Sequence, residues 1–203
     1  MREWRGELRN FLFRLFGFGS LLVALAVVFG EPITRTAIPP MQAWLELVDR
    51  SYVSVRLESR QEGRELMIHR EVTPRHPHVL GPRQRIVMPG TLIETNVSAG
   101  LLLQTLVLGL ALACAWPVRR GWREIGIRLV VASVLLAVAV ALDVPLLLYA
   151  FAWNSEQSAV DPEARSLLVY WGDFLQLGGR YALAIGAAAG ATAAGRRASG
   201  GVF

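Results

Sequence analysis

Apolar residues gather along this chain into four long stretches, separated by segments in which charged and turn-forming residues dominate. The stretches run from Phe11 to Gly30, Ser98 to Pro117, Ile125 to Trp153 and Leu167 to Gly195. Crossing the bilayer core as a helix takes about 20 mostly apolar residues, so each stretch predicts a membrane span. The third contains a charge-free run from Leu129 to Leu142, long enough to tilt. The fourth is carried in its latter half by Gly and Ala, which are common where membrane helices pack. The basic start and the Ala24-Leu25-Ala26 triplet also fit a cleaved signal peptide, but the first apolar stretch is longer than a signal core and is read as a span.

The expected fold class is therefore an all-α polytopic membrane protein with four transmembrane helices. A small β-rich extracytoplasmic domain stands between helices 1 and 2. Residues 1–10 form the N-terminus, 11–30, 98–117, 125–153 and 167–195 the spans, and 31–97 the outer domain. Residues 118–124 and 154–166 are loops, and 196–203 the tail.

Within the outer domain, Pro39 and Pro40 are expected to break the chain before a short helix at Met41–Val48 with Trp44, Leu45 and Val48 on one face. Val53, Val55 and Leu57 alternate with Ser54, Arg56 and Glu58, the pattern of a half-buried strand. Gln61-Glu62-Gly63 supplies a turn, and Arg64–Val72 returns with Leu66 and Ile68 on one face, completing a hairpin. Arg85–Met88 and Thr91–Thr95 add two short strands around Pro89-Gly90, giving a sheet of three or four strands. Thr73–Pro82, with three prolines and Gly81, reads as a loop. Asp161-Pro162-Glu163 marks a helix start ahead of the fourth span, with Tyr170 and Trp171 as an interfacial anchor.

Composition agrees with this pattern. The 203 residues are 53% hydrophobic and 18% charged, below the quarter or so usual for soluble domains, and mean hydropathy is +0.40. A single Cys114 excludes a disulfide scaffold. Every one of the 21 basic residues is arginine, and their placement is uneven. Arg2, Arg5, Arg9, Arg14, Arg119, Arg120, Arg123, Arg128, Arg196 and Arg197 fall on one side of the predicted spans against only Glu3, Glu7 and Glu124. The other side is slightly acidic. By the positive-inside rule both termini are cytoplasmic. The charge of +5 is thus a topology signal, and no nucleic-acid partner is expected.

Ionisable groups inside spans are costly and are the default functional leads. Counted at about 1.5 Å per residue, Gln104, Asp143 and Arg180 fall in one layer, in the outer half of the membrane. The favoured reading is a structural lock in which Asp143 pairs with Arg180 and Gln104 bonds to one of them. A transport path would need further polar groups through the cytoplasmic halves, where few exist. Gly178, Ala182, Gly186, Gly190 and Ala194 recur every four residues as a small-residue stripe that lets another helix approach. His69, His76 and His78 are weak metal-ligand candidates, because Pro77 separates two of them and no clustered carboxylates join them, so no metal is expected. No phosphate loop, dinucleotide fingerprint, zinc-protease motif, serine elbow or paired cysteines occur, so neither enzymatic activity nor a cofactor is expected.

A β-rich outer segment passing through Gly90-Thr91-Leu92-Ile93 into the second helix, and a closing stretch Tyr170-Trp171-Gly172-Asp173-Phe174-Leu175 leading to Gly179-Arg180, resemble the small integral membrane proteins encoded beside bacterial exosortases. The layout is also similar to claudin-type proteins, but the paired outer cysteines of that family are missing. The exosortase resemblance implies an accessory role rather than the transpeptidase itself, whose Cys, Arg and His set is absent here. The resulting expectation is a non-enzymatic accessory or assembly subunit in the bacterial inner membrane, with a membrane-protein partner or a second copy. The rival is a transporter or channel subunit using the Gln104, Asp143 and Arg180 layer.

Overall fold

The computed structural model describes residues 2–80, 85–118, 121–158 and 166–198. The chain is mostly helical with a small three-stranded antiparallel sheet. Its order is α1 (Arg2–Val48), β1 (Tyr52–Glu62), β2 (Glu65–Pro74), β3 (His78–Leu80), β4 (Arg85–Val87), β5 (Ile93–Ser98), α2 (Ala99–Ala115), α3 (Trp122–Ser158), α4 (Leu167–Phe174), a π-helical turn (Leu175–Gly179) and α5 (Arg180–Ala198). Among the described residues, two helices are long and apolar enough to cross a membrane, Gly6–Val48 and Trp122–Gln157, while Ala99–Ala115 is apolar but shorter.

Two expectations about helix boundaries are corrected. Pro39 and Pro40 do not break the chain: α1 runs through Pro32, Pro39 and Pro40 to Val48. Proline's fixed φ suits a helix, and what it removes is a backbone donor. The Thr36 hydroxyl bonds the Pro32 carbonyl at 2.8 Å, and buried Thr34, Met41 and Leu45 anchor this part of the helix. Tertiary packing thus outweighs local propensity. The fourth stretch is not one straight helix either. It is interrupted at Leu175–Gly179, where Gly178 takes φ 117°, a conformation that favours glycine.

The chain divides into two compact units. The first comprises residues 1–30, 103–140 and 179–203. In it α1 touches its neighbours along a narrow seam, with Phe11, Leu15, Gly19, Leu22, Ala26 and Gly30 less exposed than the residues between them. Phe11 meets Trp116 edge to face at 5.6 Å, and a side chain on Gly30 would strike Leu103 at 3.0 Å. The remaining α1 surface, including Phe13, Phe16, Val27 and Val28, is exposed and apolar. Ala113, Ala132, Ala188 and Ala191 form a core from α2, α3 and α5, and Gly109 lets Leu136 in so closely that an added Cβ would lie 2.3 Å from it. Small residues bring these backbones together.

The second unit comprises residues 31–102 and 141–178. Its sheet has the order β1-β2-β5, and β3 pairs with β4 separately. The hairpin and its turn match the sequence pattern, but the buried face differs. Val53 and Val55 are exposed, and Tyr52 and Leu57 are buried. The register shifts between Ser54 and Arg56. This bulge adds one residue to β1 and switches the parity of its side chains. Tyr52, two residues before Ser54, and Leu57, three residues after it, therefore reach the same face as Ile68, Val72 and Val97. The segment expected to be a loop, Thr73–Pro82, begins as the end of β2 and contains β3. Arg85–Val87 joins β3 rather than the main sheet.

Candidate functional site

In the first unit, the polar chemistry concentrates where α2 ends and α3 begins. Trp122 and Arg123 open α3, and Glu124 and Arg128 stand one turn apart on its inner face, both buried. Their side chains form a short ion pair. Arg128 Nη1 also donates to the carbonyls of Ala113 at 3.2 Å and Trp116 at 2.8 Å, and Nη2 donates to that of Pro117 at 3.4 Å. The last carbonyls of a helix have no partner within it, and here a guanidinium fork from the next helix supplies one. Gly195 of α5 packs on the same spot, where an added Cβ would lie 3.1 Å from the Glu124 carbonyl oxygen and 3.2 Å from Arg128 Cβ. Three helices therefore converge on Arg128.

Gln104 on α2 donates from Nε2 to the Tyr181 hydroxyl on α5 at 2.5 Å. Arg180 opens α5 and is buried. Of the small-residue stripe, Gly178 lies in the π-helical turn rather than in α5. Ala182, Gly186 and Gly190 are exposed, and Ala194 is half-buried. An added Cβ at Gly186 would touch nothing within 4 Å, whereas one at Gly190 would lie 3.1 Å from Leu135. The opposite face of α5, with Ala184, Ala187, Ala188, Ala191, Thr192 and Gly195, is the buried one. Cys114 is partly buried in α2.

In the second unit a polar knot ties the end of α1 to the sheet. Asp49 Oδ1 accepts from the backbone N–H groups of Ser51 at 3.1 Å and Tyr52 at 2.9 Å, fixing the turn from helix to strand. Its Oδ2 accepts from Arg70 Nη2 at 2.7 Å, and both partners are buried. Arg70, in the middle of β2, also donates to Ser54 Oγ. Beside this pair, the Tyr52 hydroxyl donates to Glu156 Oε2 on α3 at 2.6 Å. Burial, reinforced by the Glu156 carboxylate, holds the Tyr52 phenol well above its usual pKa. Tyr52, Val72 and Ala152 form the apolar cluster around it, with Ile93, Tyr149 and Trp153 packed on.

Asp143 is buried in α3, two residues ahead of Pro145. Pro145 withholds an N–H from the Ala141 carbonyl, and at the next residue the Leu142 carbonyl accepts the Trp171 indole N–H at 2.8 Å. The helix start at Asp161-Pro162-Glu163 lies outside the described residues. The described α4 opens after Ser166, whose hydroxyl caps Val169 N–H. His69 is buried on β2, with Nε2 at 3.2 Å from Glu62 and Nδ1 at 3.2 Å from Glu94. The two carboxylates face opposite ring nitrogens and cannot share one ion. His76 is exposed, and the side chain of His78 lies outside the described residues. Among the described residues, no three His, Cys, Asp or Glu side chains form a metal-holding group.

Three buried charged or polar contacts were therefore missed by sequence reasoning: Arg128 with Glu124, Arg70 with Asp49, and Tyr52 with Glu156. The first carried a signal, since Glu and Arg four residues apart at a helix start form an i,i+4 pair. The other two join residues 21 and 104 positions apart, and nothing local marks them. Compared with protein-family models, curated proteins and solved structures, the chain matches none.

Proposed function

We propose that this chain is a non-enzymatic inner-membrane accessory subunit that crosses the bilayer four times with both termini in the cytoplasm. Its second unit would face outward toward a partner, and α5 would dock beside it or beside a second copy. Four crossings are supported by the lengths of α2 and α5. The 17 residues of α2 and 19 of α5 give roughly 25–29 Å at 1.5 Å per residue, close to the ~30 Å bilayer core. The contacts of Phe11 with Trp116 and of Gly195 with Arg128 support a common end for the starts and ends of these helices, in keeping with positive-inside placement. The setting implied by the resemblance at Gly90–Ile93 and Tyr170–Arg180 is exosortase-type protein sorting.

The observation that carries the docking role is the uncovered face of α5. Ala182 and Gly186 are exposed one turn apart while the opposite face is packed. Small residues at Ala182 and Gly186, flanked by the exposed Tyr181 and Ile185, let another helix backbone approach closely, which is how membrane helices associate. The test is crosslinking in native membranes followed by purification in mild detergent, comparing the wild type with Gly186→Leu. Wild type should carry a partner helix or a second copy, and G186L should lose it while remaining folded, because that position has free space around it. A wild-type chain that always isolates alone sinks the role.

A transporter or channel subunit is the second reading, favoured by the burial of Asp143 and Arg180 in helices read as spans. It requires Asp143→Asn to abolish ion or solute flux in reconstituted vesicles without loss of assembly.

A further inference from the structure

Glu124 is occupied by Arg128, which leaves the neighbouring Arg123 with no ion pair among the described residues. With Trp122, Gly126, Ile127, Val130 and Val131, Arg123 lines a shallow, largely apolar hollow of about 450 Å3 on α3. The hollow exists because Gly126 has no side chain between Trp122 and Val130, and an added Cβ there would touch nothing within 4 Å. Trp122 is 85% exposed, far more than a tryptophan keeps without an amphipathic surface to lie in. The same end of the first unit carries the exposed Arg9, Arg14 and Arg197.

We infer that this hollow binds an anionic phospholipid of the cytoplasmic leaflet. One acyl chain lies along Gly126, Ile127 and Val130, the Trp122 indole sits at the glycerol level, and the phosphate rests on Arg123. The inference builds on the four-span reading, which places this end at the cytoplasmic face. Charge selects the occupant. A zwitterionic lipid offers the same acyl chain but brings its own cation to Arg123, whereas an anionic headgroup gains the attraction of a basic residue near the membrane surface.

The full chain is reconstituted into vesicles carrying dibrominated phosphatidylglycerol or dibrominated phosphatidylcholine, and tryptophan quenching is read as the difference between wild type and Trp122→Phe. The expected result is a preference for phosphatidylglycerol of about fivefold, the worth of one arginine near the surface. Arg123→Gln should bring the preference close to one. Gly126→Leu should reduce quenching by both lipids, because it fills the hollow. Equal quenching by the two lipids in wild type, or an undiminished preference in both variants, overturns the inference. Flotation with the vesicles separates the two levels: a chain that floats without a lipid preference loses only this site, and a chain that does not float loses the membrane reading as well.

Discussion

Arg128 Nη1 donates to the Trp116 carbonyl at 2.8 Å, so the second helix ends on a side chain supplied by the third. Because the same guanidinium pairs with Glu124 and lies under Gly195, one residue fixes the end of α2, the start of α3 and the approach of α5.

Removing that guanidinium breaks a buried ion pair and uncaps the carbonyls at the end of α2. Arg128→Leu should cost about 3–5 kcal/mol, as breaking buried pairs does. Adding Glu124→Leu should recover only part of the loss, since the carbonyls of Ala113, Trp116 and Pro117 remain uncapped. Thermal unfolding in detergent of the two single variants and the double variant measures the difference. Full recovery in the double variant would show that the pair, and not the capping, carries the stability.

The Asp49–Arg70 contact combines a charge with a turn. Asp49→Asn can still accept from the Ser51 and Tyr52 N–H groups through its amide oxygen but leaves Arg70 buried without its carboxylate, while Asp49→Ala loses both. The expected order of stability is wild type, then D49N, then D49A, with D49A lower than wild type by about 3–5 kcal/mol. Equal melting of the two variants would remove the turn from the account.

Stability of the second unit should fall in alkali. The folded Tyr52 phenol is held above the ordinary value near 10, so its contribution is complete below that value. It diminishes as pH rises beyond it, because the unfolded phenol ionises first. Urea titrations at pH 8 and pH 11 should show this loss, and Tyr52→Phe should shrink it while lowering stability at pH 8. An unchanged slope in Y52F would mean that other groups govern the alkaline limb.

Glycines of the first unit should differ sharply in tolerance. Gly195→Ala places a methyl 3.1 Å from the Glu124 carbonyl and 3.2 Å from Arg128, and overpacking of this kind costs about 1–3 kcal/mol. Gly186→Ala meets nothing and should raise helix stability slightly. Melting temperatures in detergent that move the same way for both would contradict the packing at Gly195.

The large-scale order of the chain was legible in its sequence, because hydrophobic period and length govern where helices and strands form. Two features were hidden for definite reasons. Proline at positions 39 and 40 signals a break locally, yet the helix continues because Met41 and Leu45 are buried further on. In β1 the alternation of Val53, Val55 and Leu57 suggested one apolar face, and a single extra residue divided that set between two faces. A bulge leaves no mark on a hydrophobicity pattern, since it depends on which strand pairs with which residue. The polar candidates show the same limit. Depth along the helices groups Gln104 with Asp143 and Arg180, whereas its partner is Tyr181, the neighbour of Arg180 in sequence, because counting residues gives depth but not which side of a helix faces which.

The bulge at Val55 also bears on how this protein avoids joining copies of itself in the wrong way. With the order β1-β2-β5, the 11-residue β1 pairs with β2 alone among the described residues, and a long regular edge strand bearing two outward valines is a template for runaway strand addition. The irregularity falls between Ser54 and Arg56 and interrupts that template near its start, and beyond it Arg56, Glu58 and Arg60 present charge. What turns Leu57 inward thus also guards the sheet edge against strand addition.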